Sequence, residues 1–274
     1  VGDVYAIDMV TTAPGTAKFS GGNISTTGNL TFSGKLEFAH ETKLTAHQVT
    51  LGGATTVHGK FTIDGEAVLA GGTVDTTGFE QVYKGAVTLN TQDAILKGSN
   101  VTFESTVDGA QRLVVQATGV TTFKDAVGSR AGQAPLHIQT DAIGTGSSTR
   151  IDGGLIRTSG QNSILFNNDV VVTSALTEFD TTAYVGGLGS TGANITFKGT
   201  LKGVDGGQSV VFKAGNLGEV VTEKSVADLD ALTLGSSKLA KFMDTVSANS
   251  IVIEHTNSGQ SVSFLGNTTA TTFT

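Results

Sequence analysis

The 274-residue chain contains no cysteine and no tryptophan, and it has only two prolines and four arginines. The absence of cysteine excludes a disulfide framework and a thiolate metal site. Four arginines provide few guanidinium groups that could bind an anionic ligand through two hydrogen bonds. The net charge is −7 and no basic stripe is present, so we expect no nucleic-acid partner. No apolar run approaches the ~20 residues of a membrane-spanning helix, and we expect no membrane span.

What the chain has instead is glycine, at 37 residues, and 14 phenylalanines spread over its whole length. Disordered glycine-rich chains are poor in Val, Ile and Phe, so the composition predicts a folded protein. Short runs such as LTFSGKLEF and RLVVQATG, separated by DG, GG, SG and NN pairs, predict many short strands and turns. Only the first half of 226–246 is ambiguous between helix and strand, because its leucines have a helical spacing.

One phrase occurs twice, as NVTFESTVDG at 100–109 and as NITFKGTLKG at 194–203. The two copies share Asn, Thr, Phe, Thr and Gly, but Glu104 in the first is Lys198 in the second. A shared active site would not invert its charge and keep its Phe, so we interpret the phrase as scaffolding. Looser phrases also recur (GNISTTG, GTVDTTG and GLIRTSG), and apolar clusters return about every 18–24 residues, the length of one β-solenoid coil.

These patterns predict an all-β protein, specifically a right-handed parallel β-helix (β-solenoid) that forms a single elongated rod. An antiparallel sandwich or barrel is the alternative, but Asn-Gly hairpin signals are nearly absent. We expect an N-terminal extension or exchanged strand over 1–16, and a solenoid of about 13 coils over 17–274. Loop insertions are expected near 128–150 and 215–234. The predicted core ladder comprises Phe32, Phe103, Phe123, Phe197, Phe242 and Phe264.

The segment NVTFESTVDGAQRLVVQATGVTTFKDAVG (100–128) resembles the repeats of very large bacterial surface proteins of the filamentous-haemagglutinin and autotransporter-passenger class. The resemblance is strongest over about 72–215 of this sequence. It implies a β-helix secreted from a Gram-negative cell that acts as an adhesin, filament or matrix component. Within these 274 residues no segment resembles the amino-terminal secretion domain or the carboxy-terminal membrane barrel of that class, and typical members are far longer.

The sequence contains no constellation that predicts catalysis, and we expect neither enzyme activity nor a cofactor. A polysaccharide lyase or hydrolase needs paired carboxylates that face one substrate. The aspartates here are scattered and mostly stand beside Gly or Asn, as turn formers do. The candidate metal ligands are His40, His47 and His58, and exposed positions in strands or turns are the favoured interpretation of these three.

Five Asn-X-Ser/Thr triplets are potential glycan acceptors, and two of them, Asn100 and Asn194, begin the duplicated phrase. A structural role is the favoured interpretation, because Asn tolerates the left-handed conformation at a coil corner.

We expect the chain to be a structural building block of a secreted bacterial cell-surface filament, adhesin or extracellular matrix. Solenoids normally need caps at their ends, and neither terminus has a convincing one. The chain is therefore expected to form a head-to-tail homopolymer, with Val4, Tyr5, Ile7 and Phe273 as assembly residues. Host or matrix glycans or proteins are further candidate partners. The alternative is a polysaccharide-binding or polysaccharide-cleaving β-helix protein.

Overall fold

The structure is a computed structural model that describes residues 4–6, 9–11, 15–130, 132–142, 146–159, 163–182, 191–254 and 256–274. Side chains are described from residue 15 onward, except at 142 and 256–260. The described residues contain no helix and 32 strands, all of whose pairings are parallel.

The strands are numbered in the order in which the chain forms them. The first eight are β1 (Val4–Ala6), β2 (Met9–Thr11), β3 (Thr16–Phe19), β4 (Gly22–Thr26), β5 (Asn29–Phe32), β6 (Lys35–Phe38), β7 (Thr42–Leu51) and β8 (Thr55–Val57). The next eight are β9 (Phe61–Leu69), β10 (Thr73–Asp75), β11 (Gln81–Tyr83), β12 (Val87–Leu89), β13 (Ala94–Gly98), β14 (Val101–Phe103), β15 (Val107–Asp108) and β16 (Arg112–Ala117). They are followed by β17 (Val120–Phe123), β18 (His137–Ala142), β19 (Ser148–Ile151), β20 (Leu155–Arg157), β21 (Ile164–Phe166), β22 (Asp169–Val172), β23 (Leu176–Asp180) and β24 (Ile195–Phe197). The last eight are β25 (Leu201–Gly203), β26 (Gln208–Lys213), β27 (Glu219–Thr222), β28 (Val226–Phe242), β29 (Val246–Ile253), β30 (Thr256–Phe264), β31 (Thr268–Thr269) and β32 (Thr272–Phe273).

Each turn of the chain contributes one strand to each of three columns. A column is a stack of parallel strands that pair with one another along the rod. The first column runs from β1 through β4, β7, β9, β11, β14, β17, β19, β22, β25, β28 and β29 to β31. The second runs from β2 through β5, the later halves of β7 and β9, β12, β15, β20, β23, β26, β28 and β29 to β32. The third runs from β3 through β6, β8, β10, β13, β16, β18, β21, β24, β27 and β28 to β30.

The predicted fold class is confirmed: the molecule is a parallel β-solenoid of about 12 turns. At about 4.8 Å per turn, the rod is about 58 Å long. Strand β28 spans Val226–Phe242, which excludes the helical alternative for that segment. Side chains alternate between buried and outward along most strands, as in β11 and β14, and the buried ones form one continuous core.

The turns have nearly constant length in the middle of the chain. Tyr83, Phe103 and Phe123 follow one another in the first column at steps of 20 residues. The next step, from Phe123 to Ile151, is 28 residues and contains the region 128–150. The step from Val172 to Gly203 is 31 residues, a longer insertion that the sequence did not predict. Strands β27 and β28 occupy most of 215–234.

The two copies of the duplicated phrase do not lie in the same columns. In the first copy, Val101–Phe103 lies in the first column and the phrase ends at Gly109 in the second. In the second copy, Ile195–Phe197 lies in the third column and the phrase ends at Gly203 in the first. Both terminal glycines lie against a neighbouring turn, where an added Cβ would come within 2.2 Å of the Leu89 carbonyl oxygen or 2.0 Å of that of Asp228. The phrase therefore specifies a strand, a corner and a close backbone approach that any column can use.

Candidate assembly edges and polar clusters

The solenoid ends, in the described residues, on the exposed edges of β30, β31 and β32. Phe264 of β30 stacks on Phe242 of the preceding turn, with ring centroids 4.9 Å apart and planes 7° apart. Phe273 of β32 meets Phe264 edge to face at 5.7 Å and is 55% exposed. The predicted assembly residue Phe273 thus lies beside a core phenylalanine at an open edge.

The opposite edge is formed by β1, β2 and β3. The predicted assembly residues Val4 and Tyr5 lie in β1, which pairs in parallel with Ile24–Thr26 of the same chain; Ile7 lies outside the described residues. The first edge residues with described side chains are in β3, where Phe19 stacks on Phe38 at 5.1 Å and 21°. Lys18, on the outward side of β3, forms an ion pair of 2.9 Å with Glu37 of the next turn.

The six phenylalanines of the predicted core ladder lie in four separate aromatic groups. Phe103 and Phe123 are parallel neighbours in the first column, 5.1 Å and 2° apart, with Tyr83 next to Phe103. Phe197 stacks on Phe166 in the third column, and Phe32 meets Phe19 and Phe38 edge on. The remaining two form the Phe242–Phe264 pair. All are fully buried except Phe264, which is half-buried at the edge.

The three candidate metal ligands are not brought together as one site. His40 and His58 follow β6 and β8 on neighbouring turns of the third column, whereas His47 lies at the corner between the two halves of β7. All three side chains are exposed. The described part of the chain contains no group of three His, Cys, Asp or Glu side chains that could hold a metal ion.

Asparagine and aspartate side chains at the corners bind the backbone of the following turn. Asn100 Oδ1 accepts the N–H of Val120 at 2.7 Å, and Asn194 Oδ1 accepts the N–H of Glu219 at 2.9 Å. Two aspartates act in the same way: Asp93 Oδ1 accepts the backbone N–H of Arg112, and Asp169 Oδ1 accepts that of Thr200. Asn100 and Asn194 are not left-handed, since the described non-glycine residues with positive φ are Thr91 and Asp228. The signal in the sequence is an acceptor immediately before, or at the start of, a strand.

A row of alternating charge follows the outward side of the first column. Lys84, Glu104 and Lys124 directly follow β11, β14 and β17, and Asp64 occupies the equivalent position within β9 on the preceding turn. Lys84 Nζ donates to Asp64 at 3.2 Å and Lys124 Nζ to Glu104 at 2.8 Å. A second lysine, Lys43, donates to Asp64 at 2.6 Å, and this hydrogen bond is the main reason that the pKa of Asp64 lies below its usual range.

The densest ion cluster joins three turns of the second column. The Arg157 side chain is 14% exposed and donates to Asp180 at 2.7 Å and to Glu178 at 3.1 Å. Lys213 Nζ donates to the other Glu178 oxygen at 2.5 Å, and the second Asp180 oxygen accepts the N–H and the hydroxyl of Thr182. Two acids and two bases therefore meet on adjacent turns, but all four carboxylate oxygens already have partners, as in a structural ion network.

A polar network on the third column includes a serine–histidine pair. Ser163 Oγ lies 3.1 Å from Nδ1 of His137, and Gln139 Oε1 lies 3.2 Å from Nε2. The Gln139 amide nitrogen donates to Asp141 at 2.6 Å, and Asp141 also accepts from Asn167 at 2.7 Å. Since Gln139 Oε1 can only accept, His137 Nε2 is the donor in this contact. His137 is 6% exposed and both its ring nitrogens are occupied, so the network ties turns together.

An open groove of about 550 Å³ runs along the corner between the second and third columns at the N-terminal end. Its floor is mostly glycine backbone, and Lys35 and Gln92 are its largest polar side chains. Glycine is required here because the turns approach closely: a Cβ on Gly53 would lie 2.3 Å from the Gly34 carbonyl oxygen. Among the residues that the structure describes, no carboxylate lines the groove.

The described residues contain no helix long and apolar enough to span a membrane. Comparison of the chain with protein-family models, curated proteins and solved structures gave no match in any of the three.

Proposed function

We propose that this chain is a structural building block of a secreted bacterial cell-surface filament, adhesin or extracellular matrix, in which subunits stack end to end. The observation that carries the proposal is where the partly buried apolar side chains lie along the rod. The apolar side chains that pack against the core while remaining partly exposed belong to the terminal turns: Ala17 and Phe19 at one edge, and Ile253, Val262, Phe264 and Ala270 at the other. Between the edges the described core is closed.

The chemistry of open strand edges supports self-association. An edge strand presents unpaired backbone donors and acceptors that can pair with another strand, and the described pairings within the rod are parallel. A parallel join between the β30–β32 edge and the β1–β3 edge is head-to-tail, and head-to-tail contacts that do not close on themselves produce open filaments.

The likeness of residues 100–128 to filamentous-haemagglutinin and autotransporter-passenger repeats supports an extracellular location, at the surface of a Gram-negative cell. We propose no enzymatic activity. Two clusters, around Arg157 and around His137, most resemble a catalytic site. Within each cluster the polar atoms already form hydrogen bonds with other members of that cluster. A polysaccharide-cleaving site needs free carboxylates beside a groove, and the groove next to Gly53 has none among its described residues.

The test is the state of association of the purified 274-residue chain. We expect sedimentation velocity to show species that grow with protein concentration. Negative-stain electron microscopy should show rods whose axial repeat is near the length of one subunit, about 58 Å. A chain that sediments as a monomer at every concentration and shows only single particles would contradict the proposal.

A further inference from the structure

The outward side of the third column forms one face over its central turns, from β10 to β24. Two outward positions recur on each of these turns. The first position carries Thr73, Ile95, Val114, Gln139, Leu165 and Thr196. The second position, two residues further along each turn, carries Asp75, Lys97, Gln116, Asp141, Asn167 and Lys198. These residues are named the central face.

The first position of the central face presents apolar groups to the outside. Ile95, Val114 and Leu165 alternate with buried neighbours along their strands, and each is partly exposed. Ile95 and Val114 are paired in register on adjacent turns. A contact that covered them would remove apolar surface from water, which is favourable.

The polar side chains in the middle of the central face are held in fixed positions by one carboxylate. Asp141 accepts from the amides of Gln139 at 2.6 Å, Asn167 at 2.7 Å and Gln116 at 3.4 Å. Side chains that are already ordered lose less entropy when a partner binds. The face is therefore preorganised for a contact.

The charged groups of the central face form no ion pair with any other residue that the structure describes. Lys97 and Lys198 differ in this from Lys84 and Lys124 of the first column, which are both paired to acids. Asp75 accepts only from the N–H and hydroxyl of Thr77 among the printed sequence neighbours of its turn. These charges can pair with a second molecule without breaking an ion pair within the chain.

The order of the charges along the face is self-complementary. The second position reads acid, base, amide, acid, amide, base from β10 to β24. If two copies meet face to face with antiparallel rods, a two-fold axis between β16 and β18 places Asp75 of each copy over Lys198 of the other. The remaining pairs each join a charged group to an amide, Lys97 to Asn167 and Asp141 to Gln116.

The first position matches in the same register. Ile95 of each copy lies over Leu165 of the other, and Thr73 lies over Thr196. Apolar groups therefore meet apolar groups and hydroxyls meet hydroxyls.

Shifts of this axis in either direction bring like charges together. Toward β10, half a turn places Arg112 over its own counterpart, and a whole turn places Asp75 over Asp141. Toward β24, half a turn places Asp141 over its own counterpart, and a whole turn places Asp93 over Glu219. Like charges opposite each other disfavour an interface, so the charges select one register.

We propose that the central face binds the central face of a second copy of this chain, with antiparallel rods and the two-fold axis between β16 and β18. This side-by-side contact does not depend on the proposed end-to-end stacking. At about 4.8 Å per turn and 3.3 Å per residue, the face measures about 29 Å by 17 Å. Two such faces bury about 1,000 Å² in total, the lower limit for a specific interface. Rods joined end to end would repeat the contact, and the repeated contacts would reinforce one another.

Cysteine substitutions test the pairing, because the natural chain has no cysteine. Thr73 of one copy lies over Thr196 of the other, at the spacing of stacked sheets, about 10 Å. A bismaleimide of that reach should join a mixture of T73C and T196C chains into a product of twice the 27.9 kDa chain mass. T73C alone should give none, because its two copies lie about 24 Å apart along the rod.

Charge reversal tests the register independently. Lys198→Asp places two acids opposite each other and should abolish the T73C–T196C product when both chains carry it. Lys198 is exposed and unpaired, so the variant should keep the circular dichroism spectrum of the natural chain. Adding Asp75→Lys to the same chains restores opposite charges and should restore the product. The matched control is Lys202→Asp, at an exposed lysine of the first column, which should leave the yield unchanged.

A T73C–T196C mixture that gives no product, or a yield that Lys198→Asp does not change, would overturn the inference. A T73C product as abundant as the mixed one would also overturn it. The proposed stacking has a separate outcome: filaments without the mixed product would leave the stacking intact. A cross-linked pair that never grows into rods would support the side-by-side contact and contradict the stacking.

Discussion

Polar side chains inside the solenoid are satisfied by bonds to the backbone and to one another. Tyr83 is fully buried, and its hydroxyl donates to Gln81 Oε1 at 2.9 Å. Gln81 in turn donates to the carbonyls of Val74 at 3.1 Å and Lys97 at 2.8 Å. Burial raises the pKa of Tyr83 far above that of a free phenol, so the hydroxyl stays a neutral donor. A tyrosine ring thereby fits into a stack of phenylalanines.

Replacing Tyr83 with Phe should cost about 1–3 kcal/mol, because it leaves the buried Gln81 oxygen without a donor. The free energy of unfolding from urea denaturation measures this cost. The control is Thr102→Val, which removes a hydroxyl from an outward-facing position on the next turn and should change stability by no more than about 0.5 kcal/mol. Equal effects of the two substitutions would contradict the assigned role of the Tyr83–Gln81 bond.

The corner acceptors make a second prediction for single residues. Asn100→Ala removes the acceptor of the Val120 N–H and should destabilise the chain by about 1–3 kcal/mol. Asn90, an exposed asparagine at another corner, is the matched control, and its replacement with Ala should stay within about 0.5 kcal/mol. If hydrogen exchange at Val120 were no faster in the Asn100→Ala variant, the bond between turns would not stabilise this corner.

The individual strands are too short to be stable alone, and contacts between turns set their alignment. Alternating charges at Asp64, Lys84, Glu104 and Lys124 repeat at a period of one turn. Opposite charges on neighbouring strands are favourable, and like charges placed directly opposite each other are destabilising. If a turn paired with the turn two positions away instead of with its neighbour, like charges would lie opposite each other. The row therefore favours the observed order of turns.

The lowered pKa of Asp64 predicts how this row responds to acid. Its main cause is the hydrogen bond from Lys43, joined by Lys84 and opposed by burial. The unfolded chain therefore binds the proton more readily, so Asp64 stabilises the fold above its unfolded pKa of about 3.9 and loses that effect as the pH falls through its folded value. We expect Asp64→Asn to lower the urea midpoint at about pH 7, and we expect this difference from the natural chain to shrink as the pH falls from about 7 to about 2. A constant difference between the two chains across this range would contradict the assignment.

The elements differ in how far the sequence predicts them. Strand, corner and turn within the duplicated phrase are local properties of residues such as Phe103 and Gly109, and they are evident from the sequence. The column that each copy occupies depends on the summed lengths of all preceding turns, including the 31-residue step before Gly203. The same holds for the partners of Asn100 and Arg157, which lie 20 to 23 residues away. Local patterns therefore predict the fold class, whereas the contacts between turns require the structure.

At the scale of the whole molecule, the rod behaves as a one-dimensional array. Each turn packs only on its neighbours, and stability is nearly a sum of single-turn and interface terms. A terminal turn has one interface instead of two, and the partly exposed Phe19 and Phe264 are its visible sign. In the free chain the ends should therefore open locally with a smaller free energy than the middle.

Hydrogen exchange measured on the free and the assembled chain tests this picture together with the proposed stacking. In dilute, monomeric protein we expect the slowest exchange in central strands such as β11, β14 and β17, and fast exchange in β30 and β32. Assembly pairs the edge amides and gives each end its missing interface, so protection should rise in β3, β30 and β32. It should stay unchanged in β14, the internal control. Assembled material whose edge strands exchange as fast as in the monomer would mean that the copies associate through their sides and not through their ends.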